Sequence, residues 1–387
     1  MRFILDDSIA ITCLPDSDDE EKGINDMGQS ITLSTHTLHF DIRPKKLPSA
    51  DHLALICFIV FYPYLSKSTR IQWPQPVSQI WFDILQLHNL TTEINVQSSN
   101  TTKPVQSDQC CQDPRIALAW GGGLDTWATY KLQPDIYTIL VHERESKDPP
   151  IYGPSSIQIS SPSVSHKSTP NRDKLIKVTT NQKSVSQKSS NNQSAGWATW
   201  VGVTVTSIWL SADCQINMIA TGGNLGSVFL NNGSKYHPTH LKPSIWYKTF
   251  ELLGLPIYLP LAGLTDLGVI QILGPDLSRI RYCWFPTPSG DNCHMCPKCI
   301  RKETLLGRDL SKIGPISAPI SGPSYDYIRT NDPNLARWVY HYYAPALKLL
   351  PSSFNTDTLI TALKKHSIEV LPKSNEYLVE QYGYKIT

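Results

Sequence analysis

"RIALAWGGGLDTWATYKL", residues 115–132, places an apolar run, three consecutive glycines and a helix-like stretch side by side. A short apolar run closed by glycines reads as a buried strand, and "LDTWATYKL" (124–132) behind it as a helix. Gly121, Gly122 and Gly123 carry no side chains, so the main chain can fold tightly there and turn several amide N–H groups outward. The helix N-terminus adds its partial positive charge, and phosphate is the natural guest of such a turn. Asp125, just inside the helix, can sit beside a magnesium ion or cap the first turn, while Thr126 and Thr129 offer hydroxyls to phosphate oxygens. The spacing is neither that of a Walker A loop nor the GxGxxG of a dinucleotide fold. The alternative is a glycine-rich strand-to-helix turn without a ligand.

Outward from this loop the pattern repeats. Short apolar runs at "DIYTILVH" (135–142), "KLIKVTT" (174–180), "QINMIAT" (215–221) and "LPIYLP" (255–260) alternate with helix-like "WATWVGVTVTSIWLSA" (197–212) and "PSIWYKTFELLG" (243–254). Buried strands separated by helices predict an α/β fold, a parallel sheet with helices on both faces over 115–310, binding ligands at the carboxyl ends of its strands. Residues 145–196 are rich in Ser, Asn and Lys and are expected to form a disordered insertion that carries the third strand. Lys167, Arg172, Lys174, Lys177, Lys183 and Lys188 bias that insertion positively, which suits a lid over ATP, a nucleic-acid contact or a solvated loop.

Polar residues 93–114 read as a linker from an N-terminal α+β region, 1–92, in which "SITLSTHTLHFDI" (30–42) alternates with the period of one strand. Residues 311–387 are expected to be helical, one helix being capped by Asp332 with Pro333 at its first position. Neither apolar stretch predicts a membrane span: "LALICFIVFY" (53–62) is too short for a bilayer core of ~30 Å, and 252–273 carries Pro256, Pro260 and Asp266. A formal net charge of +2 gives no electrostatic footprint for nucleic acid.

Four of the nine cysteines, Cys283, Cys293, Cys296 and Cys299, cluster in "CWFPTPSGDNCHMCPKC". The others are scattered, and "MRFILDDSIAITCLP" does not resemble a cleavable leader, so the chain is expected in the cytoplasm with reduced thiols. A CxxCxxC run plus a fourth thiolate upstream can close a tetrahedral zinc shell, a four-cysteine iron–sulfur cluster being the rival. With every position taken by protein, such an ion has no vacancy for substrate and its role is structural.

Gly121–Thr126 resembles the SGGxDS pyrophosphate loop of the ATP pyrophosphatases, with Gly121 in place of the first Ser and Thr126 in place of the last. Together with the Cys-x9-Cys-x2-Cys-x2-Cys site and the basic residues beside it, residues 115–307 resemble the 7-cyano-7-deazaguanine synthase (QueC) family of PP-loop enzymes. The resemblance implies a five-stranded parallel sheet that binds ATP and magnesium, and zinc on the four cysteines. It implies adenylation of a substrate carboxylate, on a deazaguanine-like base or a related acceptor, and replacement of AMP by an amine. The nucleotide residues it points to are Gly121, Gly122, Gly123, Leu124, Asp125, Thr126 and Thr129, with His142 at the end of the second strand. Asp125, Lys298 and Arg301 become candidate catalytic residues, and Gly222, Gly223 and Asn224 candidate substrate residues.

The expected partners are ATP, a small or macromolecular carboxylate acceptor, a nucleic acid or a protein of the same gene cluster, and a second copy of the chain. Relatives of this kind occur in bacterial anti-phage clusters. Departures are the missing Pro-Gly-Arg-Asn start of the helix before 215 and the long terminal additions. They leave room for a non-catalytic nucleotide-binding scaffold, or for a thiolating enzyme using Cys214.

Overall fold

The computed structural model describes residues 1–7, 9–16, 21–25, 28–65, 70–90, 93–94, 115–144, 175–192, 194–197, 199–224, 230–231, 235–236, 241–262, 264, 266–280, 292–294, 299, 342–343 and 356–370. The chain begins with β1 (Arg2–Asp6), β2 (Ala10–Leu14), β3 (Lys22–Ile24), β4 (Ser30–Leu33) and β5 (Thr37–His39), then α1 (Ala50–Phe61) and α2 (Ile80–Leu87). The central part runs β6 (Ile116–Ala119), α3 (Leu124–Leu132), β7 (Tyr137–Arg144), β8 (Leu175–Thr179), β9 (Ser186–Lys188), α4 (Val205–Trp209), β10 (Met218–Ala220), β11 (Leu230–Asn231), β12 (Lys235–Tyr236), α5 (Leu241–Leu252), β13 (Ile257–Tyr258) and α6 (Asp266–Leu273). Last come β14 (Tyr342–Tyr343), α7 (Thr356–Lys365) and β15 (Glu369–Val370).

The five strands expected from the apolar runs form one sheet in the order β13-β10-β6-β7-β8, every pair parallel. Counted along the chain this is the order 3-2-1-4-5, compatible with a Rossmann-like α/β fold. All four residues of β6 are buried because both faces are covered. Ile116, Leu118, Trp120, Met218, Ala220 and Tyr258 pack on one side with Leu124 and Trp127 of α3, Val269 and Ile272 of α6, and Leu359 and Leu363 of α7. Ala117, Ile139, Val141, Val178, Ile219 and Ile257 alternate to the other side and meet α1, α4 and α5.

The N-terminal region is not a separate unit. Helix α1 is apolar on all sides, with Leu53 to Phe61 buried without interruption, as a helix enclosed by other elements must be. Ser49 caps it, its hydroxyl accepting from His52 N at 3.2 Å. Its side chains share one core with the sheet residues Ala117, Ile139 and Ile219. Each large aliphatic or aromatic side chain so buried contributes ~1.5–3 kcal/mol, which ties the two parts together strongly.

Several expectations change. Residues 30–42 form two strands rather than one, broken where Ser34 N turns to the carbonyl oxygen of Val185 at 2.8 Å. The third strand occurs within the insertion as expected, but residues 180–192 and 194–196, expected to be disordered, are ordered: β9 pairs antiparallel with β4, and Phe40 bridges Thr180. Backbone pairing with distant residues fixes this polar stretch. Helix α4 is short, preceded by a 3-10 turn over Trp200–Thr204. Tyr342 and Tyr343, in the region expected to be helical, form a parallel strand with Glu369 and Val370, while Asp332 and Pro333 lie outside the described residues. Most of the linker 93–114 and residues 145–174 lie outside them too. Among the described residues no helix is long and apolar enough to cross a membrane.

Candidate functional site

Because β6 is followed by α3 on one face and β10 by α5 on the other, the chain leaves these neighbouring strands in opposite directions. Their carboxyl ends flank a topological switch point, where open α/β sheets bind ligands. Both glycine-containing loops singled out in the sequence arrive there: Gly121–Gly123 after β6, and Gly222–Asn224 after β10.

Gly122 has φ of 68°, a left-handed conformation that glycine adopts at little cost. Gly123 is the N-cap of α3 with extended backbone and no capping side chain. The first amides of a helix have no intrahelical acceptors, so α3 presents its N-terminus at the crevice without a side-chain oxygen from its N-cap residue. Gly121 is exposed, and a Cβ there would meet only Thr126 Oγ1, at 3.5 Å.

Asp125 is half-buried, and its Oδ1 accepts from Asn224 Nδ2 at 3.0 Å. A Cβ on Gly222 would stand 2.8 Å from both the carbonyl carbon of Asp125 and the nitrogen of Thr126, so only glycine lets the second loop press on the first turn of α3. Gly223 beside it is half-buried.

Other candidates take supporting positions. Leu124 is buried in the core beneath the loop. Thr126 is nearly buried, and Thr129 is fully buried, donating its hydroxyl to the carbonyl oxygen of Asp125 at 2.8 Å, so it braces the first turn of α3 rather than opening on the crevice. His142 is buried, its Nδ1 lying 2.7 Å from the carbonyl oxygen of Trp120. A carbonyl only accepts, so Nδ1 carries the proton and holds the residue that precedes the glycines. Tyr258 donates to Gln133 Oε1 at 2.5 Å, and Lys131 Nζ reaches Asp276 Oδ2 at 2.6 Å, pinning the far end of α3.

Sequence reasoning missed Trp120 and Glu143. Glu143 is a buried carboxylate at the end of β7 whose Oε2 accepts from the indole N–H of Trp197 at 2.8 Å. A carboxylate directly after the apolar run 135–142 was the available signal. Cys214 is different: it precedes β10 and so stands by the amino end of the strand, away from the glycine loops at the carboxyl end. Burial, with help from the charge of Asp213, pushes its thiol pKa up, against the thiolate that sulfur transfer needs.

Cys293 and Cys299 lie together, with Sγ atoms 4.0 Å apart, and Cys299 is fully buried in the same core cluster as Leu118, Trp120 and Leu124. That separation is far beyond a disulfide bond, and it fits two corners of a tetrahedron with Zn–S of ~2.3 Å, whose edges are ~3.8 Å. Cys283, Cys296, Lys298 and Arg301 lie outside the described residues. Among the described residues no group of three or more His, Cys, Asp or Glu could hold a metal ion. No protein-family model matches the chain, and no curated protein matches it either.

Proposed function

We propose that the chain is a PP-loop ATP-dependent ligase resembling the 7-cyano-7-deazaguanine synthases, with ATP and magnesium at the switch point and zinc on Cys283, Cys293, Cys296 and Cys299. One observation carries the proposal: two glycine-containing loops from adjacent parallel strands meet through Gly222 and the Asn224–Asp125 hydrogen bond, at the carboxyl edge of a sheet ordered 3-2-1-4-5. Gly122, Gly123 and the first amides of α3 would cradle the pyrophosphate, Thr126 would add its hydroxyl, and Asp125 would hold magnesium. A carboxylate oxygen of the acceptor attacks the α-phosphorus of ATP and expels pyrophosphate. An amine nitrogen then takes the acyl carbon, AMP leaves, and an amide results. The chain's part is alignment and stabilisation of charge, Lys298 and Arg301 being the cations assigned to the departing pyrophosphate. Zinc in this scheme braces the fold on the α3 side of the sheet, where Cys299 is buried.

Gly121 favours a second assignment, a nucleotide-binding subunit without catalysis, since the family's serine hydroxyl is missing at an exposed position of the loop. Incubation with ATP, magnesium and candidate carboxylates separates the two. AMP and pyrophosphate as products support the ligase. ADP and orthophosphate overturn it, and nucleotide binding without turnover of any carboxylate tested favours the subunit.

A further inference from the structure

Asp125 occupies the second position of α3, where a carboxylate has two places to go. It can fold back on the first-turn amides as a cap, competing with any phosphate for the same donors, or it can turn away. The loop after β10 supplies a donor for the second place. Asn224, only 6% exposed, is held by its surroundings, and its Nδ2 donates to Asp125 Oδ1 at 3.0 Å. Gly222 brings that loop against the Asp125–Thr126 peptide, at a distance where a Cβ would be only 2.8 Å from backbone atoms. An amide is a neutral donor, so it orients the carboxylate without cancelling the charge a divalent cation requires.

The geometry points to Asn224 as a positioning residue for Asp125, not a contact for the acceptor substrate: by holding Oδ1 it fixes the orientation in which the carboxylate would meet the magnesium ion of Mg-ATP. This rests on the ATP assignment above. Titration calorimetry of the full chain with ATP, with and without magnesium, tests it. Wild type binds ATP more tightly with magnesium. Asn224→Ala reduces that enhancement about tenfold, or ~1.4 kcal/mol, as expected for a lost hydrogen bond to a charged group. Magnesium-free ATP affinity stays within about twofold, because phosphate still meets the same amides.

Asp125→Asn loses the enhancement as well, and adding Asn224→Ala to it has no further effect, because the two act as one unit. Asn224→Ser, too short to reach the carboxylate, repeats the result and carries the comparison should melting show the alanine variant unfolded. Full enhancement in Asn224→Ala or Asn224→Ser overturns the inference, and so does an equal loss of magnesium-free affinity, which would place Asn224 on the nucleotide itself. A wild-type chain that binds no ATP overturns the ATP assignment, and this inference with it.

Discussion

Gly121→Ser should improve nucleotide binding. Substitution at glycine often fails for lack of space or because φ is positive, and neither obstacle exists here. Gly121 is outside the left-handed region, and a Cβ would meet only Thr126 Oγ1 at 3.5 Å, an ordinary contact. Serine therefore fits, and its hydroxyl stands at the mouth of the loop. A hydrogen bond to a charged phosphate oxygen contributes ~1.5–3 kcal/mol, so Mg-ATP affinity should rise about tenfold or more. Removing a glycine's freedom from the unfolded chain adds ~0.4–1 kcal/mol of stability. Calorimetry on wild type, Gly121→Ser and Gly121→Ala separates the contributions, because alanine brings the Cβ without the hydroxyl. Equal affinity of the serine and alanine variants would refute the reasoning. Gly222→Ala is the opposing control: its Cβ would meet Asp125 and Thr126 backbone at 2.8 Å, so it should abolish binding by forcing the two loops apart.

The remaining predictions concern stability. His88 is buried edge-on among Phe58, Tyr62 and Trp246, with Nε2 2.9 Å from Thr249 Oγ1, and burial holds its pKa down to about 3. The folded state thus prefers the neutral ring, so stability is full above the unfolded value of ~6.5 and falls by ~1.4 kcal/mol per pH unit below it. Urea midpoints at pH 7 and pH ~5.5 should show this loss; His88→Gln should reduce the dependence, leaving the smaller shares from His52 and His366, whose pKa values burial also lowers. The purified chain should carry about one zinc ion, and Cys299→Ser or a strong chelator should lower Tm by several degrees; an unchanged Tm and no metal by elemental analysis would sink the zinc assignment. A chain starting after residue 92 should be insoluble or lack cooperative unfolding, since α1 supplies the second face of the sheet.

Much of the central domain could be read locally. Helix α3 occurs at Leu124–Leu132 as expected, because glycines before it and Gln133–Pro134 after it punctuate the chain. Four of the five strands fall within their apolar runs, because burial on both faces demands continuous apolar sequence, and β7 overruns its own by Glu143 and Arg144. The polar stretch 181–196 misled for the converse reason. Its order comes from backbone pairing of β9 with β4 and from Asn181 bonding to Thr37 and His39, and composition carries no record of main-chain partners. In α1 the signal was present but unused: a helix-length run without a polar face cannot sit on the surface of a separate domain.

Local chemistry alone, through runs of apolar residues and turn-forming glycines, determined which segments of the central sheet are strands and where the glycine turn before α3 lies. Strand order, the joining of the N-terminal region to the sheet, and the meeting of Asn224 with Asp125 were decided only in three dimensions. The physical reason is range: propensity and periodicity act over a few residues, whereas the pairing of β10 with β6, of β9 with β4 and of Asn224 with Asp125 joins positions from about one hundred to more than one hundred and fifty residues apart.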